Sequence, residues 1–360
     1  MAILNLKPEG RICRIYSISG LIWLQIHRFL RFPIWLMPVR RLRQVDKLWT
    51  KKMQRKYILT VGKILPHDEP CKLTKIVYEP KVRVEKQYKL SEKDIEEFYT
   101  NGFMKPFTVF DPQEIKELGK QLLEHRKHVN PIYGQITDRD WHLAVPEMLL
   151  AMKHPAIIER LAQLLGPNLL AWRSQIFYKP PGGKTITWHQ ASTYLFEEGF
   201  TKQLLIPPDI NELFMLTIWI PCDPVTIENG CLQFIKNSLR GGIKNMKLGG
   251  SVGFDSVNFS PDYEVDPNDI QNVEMDLGQV LIFSERTIHG SPPNNSDRNR
   301  FAFNYRVTPT NVKAYPDPNN RKQHKESHKA TQMAEKYDLA NWSTTLLRGK
   351  ANDLNRFEAR

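Results

Sequence analysis

The stretch RTIHGSPPNNSDRNRFAFNYRVTPT, Arg286 to Thr310, decides the reading of the whole chain. A short apolar run ends at a histidine, a cluster of Pro, Asn, Ser and Asp follows, and then comes a run rich in aromatic and β-branched residues. That succession marks consecutive strands joined by a turn. The same pattern recurs in LLAWRSQIFYKP (169–180), LFMLTIWIPCD (213–223), CLQFI (231–235) and GQVLIFS (278–284), separated by turn clusters such as Pro180-Pro181-Gly182-Gly183 and Glu228-Asn229-Gly230.

Ahead of the strands the pattern is helical. In SEKDIEEFYTNGF, Ser91 stands at a cap position with Asp94 three residues later; in DPQEIKELGKQLLEH, Asp111 is a cap with Pro112 in the first turn. HPAIIERLAQLLGPN stops at Gly166 and Pro167. Helices followed by many short strands predict a mostly β protein with flanking helices, an antiparallel double-sheet barrel of the jelly-roll, cupin-like kind known as a double-stranded β-helix. Four segments are expected: a basic, apolar N-terminal arm (1–60), a proline-containing connector (61–90), the barrel domain (91–310) and a polar C-terminal extension (311–360) read as a surface helix and tail.

The chain of 360 residues is large enough for a substantial core, and its 41% hydrophobic content is that of a globular protein. Its net charge of +12 is concentrated: residues 1–60 hold 13 Lys/Arg against Glu9 and Asp46, and the remainder is nearly neutral. The arm's apolar run is interrupted by His27, Arg28 and Arg31 and broken by Pro33 and Pro38, against the roughly 20 apolar residues that a membrane span needs. It has no compact apolar region leading to a cleavage site, so a signal peptide is not expected. Such an arm suits packing on the main domain, an anionic membrane surface or an acidic protein partner. Four irregularly spaced cysteines form no disulfide framework or zinc motif, which points to a cytoplasmic setting. Nucleic acid is not expected, because the body lacks net charge.

The chemistry is read from TWHQASTY (187–194). Residues i and i+2 of a strand share a face, so His189 and residue 191 point the same way. This is the spacing of His-x-Asp, in which a distant histidine completes a facial triad for non-haem iron. His289, beside a turn, fits the distant position. Among the other histidines, His125 and His128 have helix-surface spacing, His324 and His328 lie in a charged tail, and His67 lies in the connector.

WHQ, then LTIWIPCDPVTIENGCLQFI, then RTIHGSPPNNSDRNR resemble in order and spacing the phytanoyl-CoA dioxygenase-like iron(II)/2-oxoglutarate oxygenases, over roughly residues 91–310. FYTNGFMKPFTVFDPQEI, DRDWHLAVPEMLLAMKHPAIIERL and WRSQIFYKPPGG are most similar to the halogenase branch, the syringomycin and barbamide type. The resemblance implies His189 and His289 as iron ligands and Arg300 as the partner of a 2-oxoglutarate carboxylate, with Arg298 and Arg306 as alternatives. It implies Ser291 and Gln175 as cosubstrate-binding residues, with barrel-lining polar groups as the alternative for both. KNSLRGG (236–242) departs from the family's Pro-Gly-Ser-His after LQFI.

The second departure is Ala191, where the hydroxylating members carry a carboxylate. In the halogenase branch chloride fills that place, and the oxidant made from O2 and 2-oxoglutarate leads to chlorination of an aliphatic carbon. The expected cofactors are therefore Fe(II), 2-oxoglutarate, chloride and O2. An inactivated Asp-to-Ala hydroxylase, a non-catalytic binding module, and a third ligand from Glu197 or Glu198 stand beside this reading. The substrate class implied is a small molecule or an aminoacyl group on an acidic carrier protein, for which the arm would serve as a dock; a lipid or membrane-bound acceptor suits the arm equally.

Overall fold

The structure, a computed structural model, describes residues 73–190, 204–209, 211–240, 265–284, 286–315 and 337–357 in full. It describes the backbone alone of 246–248, 259–261, 325–327 and 334–336, and eight isolated positions between 19 and 59. One compact unit comprises Cys71–Leu195 and Gln203–Arg360. Of the arm's described positions, Ile22, Trp23, Ile26 and Leu30 are exposed. Among the described residues no helix is long and apolar enough to cross a membrane.

Between residues 92 and 165 four helices lead in: α1 (Glu92–Asn101), α2 (Pro112–His125), α3 (Pro146–Met152) and α4 (Pro155–Leu165). Their starts follow the sequence signals. The Ser91 hydroxyl accepts from the Asp94 amide while the Asp94 carboxylate accepts from the Ser91 amide, and the Asp111 carboxylate accepts from the amides of Gln113 and Glu114. α1 stops at Gly102 in the left-handed region (φ 81°), where a Cβ would lie 2.0 Å from the Thr287 hydroxyl. The Gly102 carbonyl accepts from Thr287 Oγ1 at 2.9 Å and from the Ser284 amide at 2.8 Å, so the helix end is bolted to the loop that precedes His289.

The strands, in chain order, begin with β1 (Phe107–Thr108), β2 (Val129–Asn130), β3 (Gln135–Ile136), β4 (Leu169–Lys179), β5 (Ile186–His189) and β6 (Leu205–Ile206). Next come β7 (Leu216–Pro221), β8 (Leu232–Ile235), β9 (Met246–Leu248), β10 (Phe259–Pro261), β11 (Ile270–Val273) and β12 (Gln279–Ser284). Last are β13 (His289–Ser291), β14 (Arg300–Pro309), β15 (Lys313–Ala314), β16 (Lys325–Ser327), β17 (Ala334–Lys336) and β18 (Thr345–Arg348). A six-stranded sheet runs β1-β12-β7-β14-β4-β18 and a four-stranded one runs β11-β8-β13-β5. Both sheets are antiparallel throughout.

Strand alternation assigns the two faces of the large sheet. Phe301, Phe303, Tyr305 and Val307 of β14 share a core with Ile218 and Ile220 of β7 and with Phe98, Leu122 and Leu161 of the helices. On the other face Trp219, Leu281, Phe283 and Ala302 pack with Leu232, Phe234 and Val273 of the small sheet, closing a two-sheet jelly roll. Fold class and helix positions agree with the sequence reading. Within the C-terminal segment expected to form a surface helix and tail, the described residues include a strand: Thr345–Arg348 hydrogen-bonds along β4, with Trp342 and Thr345 buried. Its polar composition signalled an exposed element, but an edge strand needs only one apolar face.

A buried polar cluster ties the β2–β3 hairpin to β4. The Asp140 carboxylate accepts from the Ser174 amide at 2.7 Å and from the Tyr133 hydroxyl, and His142 Nδ1 lies 2.7 Å from Ser174 Oγ.

Candidate functional site

β13 runs between β8 and β5, and its register sets His289 directly opposite both Phe234 and His189. The two imidazoles come to 4.2 Å between centroids. Each ring lies in hydrogen-bond contact, through Nδ1, with the carbonyl two residues before it: His189 with Thr187 at 2.9 Å, His289 with Thr287 at 2.8 Å. A carbonyl accepts only, so each Nδ1 carries the proton and each Nε2 is left as a lone-pair donor. His289 is buried against Phe234 and Phe283, with ring centroids 6.0 and 4.9 Å away. Burial lowers the pKa of both histidines, and His189 and the charge of Arg306 depress His289 further, well below its ordinary range. Both rings are thus held neutral, the form that ligates a metal.

Gly290 allows this approach. A Cβ there would lie 2.9 Å from the Ile186 carbonyl and 3.2 Å from the Trp188 ring. Gln190 donates from Nε2 to the Arg286 carbonyl, joining the end of β5 to the loop before β13.

A second cluster occupies the end of the barrel where β4 finishes and β14 begins. Arg300 pairs in register with Lys179, and both are buried. Arg300 Nη1 donates to the Gly230 carbonyl (2.6 Å) and to Ser291 Oγ (3.1 Å). Lys179 Nζ donates to Ser291 Oγ (2.7 Å) and to the Pro292 carbonyl, and Ser291 Oγ donates to Gly230 O (2.7 Å). Burial lowers Arg300 to about 10, and burial together with Arg300 lowers Lys179 to about 7. Arg300 also lies 5.7 Å from the centre of the Trp219 ring. Gly230, at φ 84°, sits where a Cβ would meet Pro292 O at 2.6 Å and Lys179 Nζ at 3.1 Å.

The structure therefore places His189, His289 and Ser291 on the paired strands β5 and β13 of the small sheet, with Arg300, at the start of β14 in the large sheet, reaching Ser291. Gln175 lies on the same face of β4 as Lys179, opposite Asn304, and is half-buried. Arg298 is a surface residue 3.9 Å from Glu228. Arg306 lies six residues further along β14, opposite Thr217 and Arg173. His125 and His128 are exposed, and His128 contacts Glu124 at 3.3 Å. Ala191, His67, Glu197, Glu198, His324 and His328 lie outside the described residues. Among the described residues no group of three His, Cys, Asp or Glu converges on a point. Cys222 and Cys231 are buried free thiols whose pKa burial raises, Cys231 to about 11.

Lys179 was missed from sequence, yet its signal was there: it has the same strand parity as Gln175 and is a lysine ending a predominantly buried strand before Pro180. The groups present fit the cofactors of an iron oxygenase. Two neutral imidazoles offer Nε2 donors, and a buried Arg300 Nε with no acceptor offers a seat for an anion.

Residues 98–302, more than half of the chain, match the Phytanoyl-CoA dioxygenase (PhyH) family, and the chain belongs to it. A Stutzerimonas stutzeri protein described as a probable alpha-ketoglutarate-dependent hypophosphite dioxygenase is 28% identical over 44% of this chain, which spans about half (52%) of that relative. Dioxygenase lolE1 of Epichloe uncinata is 26% identical over 59% of this chain and 80% of its own length. In fold, the chain resembles the solved structure of CytC3 with Fe(II) and alpha-ketoglutarate (TM-score 0.58, 23% identity, 75% of this chain and 94% of that one). It also resembles the non-heme monooxygenase ThoJ (TM-score 0.54, 23% identity, 74% and 87%).

Proposed function

We propose that this chain is a halogenase that chlorinates an unactivated aliphatic carbon of a natural-product intermediate, with His189 and His289 holding iron(II). Chloride would take the metal position that a carboxylate at residue 191 occupies in hydroxylases. The observation that carries the reading is Ala191, two residues beyond His189, whose methyl group can neither ligate nor supply charge. Bound iron(II) supplies oxygen activation coupled to decarboxylation of 2-oxoglutarate.

The chain's own residues do the rest. The Thr187 and Thr287 carbonyls fix the tautomer and orientation of the two rings, leaving Nε2 as the ligating atom. Phe234 and Phe283 wall His289 from water. Arg300 and Ser291 receive the carboxylate of 2-oxoglutarate through charge-assisted and hydroxyl hydrogen bonds. The substrate is proposed to be a small molecule or an aminoacyl group on an acidic carrier protein, docked through the basic arm of residues 1–60. The dioxygenase relatives favour a second reading, hydroxylation, in which Ala191 stands where aspartate would act.

One halide titration separates the two. Chloride or bromide added to the anaerobic protein carrying iron(II) and 2-oxoglutarate is expected to shift its visible absorption in the native chain and in Ala191→Gly, and to leave Ala191→Asp unchanged. With substrate, mass spectrometry should find a chlorinated product, replaced by a brominated one in bromide. A native protein blind to both halides, together with an active hydroxylase in Ala191→Asp, would establish the second reading.

A further inference from the structure

Lys179 is a buried amine that the reading above leaves without a role. It ends β4 directly opposite Arg300, and each side chain donates to the same Ser291 hydroxyl. Two cations around one oxygen repel each other, and burial removes the water that would screen them. Neither has a carboxylate partner among the described residues. The remaining contact of Lys179 is the Pro292 carbonyl and that of Arg300 the Gly230 carbonyl, and Arg300 keeps a buried Nε–H with no acceptor. Uncompensated buried charge is costly, so the arrangement is complete only when an anion joins it.

We propose that Lys179 joins Arg300 in a two-cation seat for one carboxylate of 2-oxoglutarate, and that Lys179 acquires its proton as that carboxylate arrives. The inference rests on the cosubstrate reading above and deepens it. In the free protein burial, with Arg300 as a smaller second cause, lowers Lys179 to about 7. At pH 8 it is mostly a neutral amine donating to Ser291 and Pro292. An incoming carboxylate reverses the sign of the local potential and raises the amine's proton affinity. One proton moves from solvent to Nζ per cosubstrate bound, and no other bond is made or broken. A group whose pKa rises on binding strengthens binding fully below its free-state value and loses that contribution as pH climbs through its bound-state value. Affinity for 2-oxoglutarate should therefore fall as pH rises above 7, by up to about tenfold per pH unit.

The test uses the full chain loaded with iron(II) without oxygen, so that nothing turns over. 2-Oxoglutarate is titrated calorimetrically at pH 8 in buffers of differing ionisation enthalpy, and the optical binding curve is repeated from pH 7 to pH 9. The native protein is expected to take up most of one proton. Lys179→Arg, charged throughout, should bind with little uptake and a flat pH profile. Lys179→Met should bind with no uptake and roughly tenfold more weakly at pH 7. Thermal melts check that the variants fold, and the native measurement depends on neither. Binding by the native protein without proton uptake, or uptake that persists in both variants, overturns the proposal and leaves the cosubstrate reading intact. A folded, iron-loaded native protein that binds no 2-oxoglutarate would overturn both.

Discussion

The Asp140 cluster and the Arg300 cluster are both buried and polar, and both are joined to β4, but they differ in what they leave unsatisfied. Around Asp140 the one carboxylate accepts from the Tyr133 hydroxyl and the Ser174 amide, and Ser174 Oγ engages His142. Around Arg300 a guanidinium and a lysine amine share one hydroxyl and two carbonyls, neither has a carboxylate partner among the described residues, and an Nε–H has no acceptor. The first cluster matches its one carboxylate to two donors; the second gathers donors around neutral acceptors and keeps a charged N–H for a ligand. Burial alone thus does not distinguish structure from function. The charge balance of the buried groups does.

The largest effect expected from breaking this comparison is on the closed side. Asp140→Ala orphans two buried donors and puts alanine at a φ of 53°, for a loss of roughly 3–5 kcal/mol in denaturant unfolding. Affinity for 2-oxoglutarate in whatever fraction remains folded should be unchanged. Arg300→Met on the open side should do the converse. Two charge-assisted hydrogen bonds to the cosubstrate are lost, weakening binding by about 100-fold, while the melting temperature holds or rises because an uncompensated buried charge is gone. An equal loss of stability in the two variants would end the distinction.

Gly230→Ala sharpens the open side. Its Cβ would press on Pro292 O and Lys179 Nζ at a positive φ, costing about 1–2 kcal/mol and several-fold in cosubstrate affinity, measured by melting and by optical titration. The smallest effect belongs to Arg298→Ala, two residues before Arg300 on the surface: a change of about 0.5 kcal/mol or less and an unaltered binding curve.

The sequence by itself determined what depends on near neighbours. Strand parity placed residues on faces, and the caps at Ser91 and Asp111 placed helix starts, because these follow from backbone periodicity and hydrogen bonds spanning two or three residues. His189, His289 and Arg300 could be singled out for another reason: the sequence blocks that hold them resemble, in order and spacing, those of a known family. Tertiary structure alone decided what depends on register between distant strands. Nothing local to Lys179 says that Arg300 faces it, nothing local to Asp140 says that the Ser174 amide donates to it, and the polar run near Thr345 gave no sign that it would pair with β4. Those pairings are selected by the burial and hydrogen bonding of whole sheets, a sum over contacts between residues far apart in the chain, and so no window of the sequence contains them.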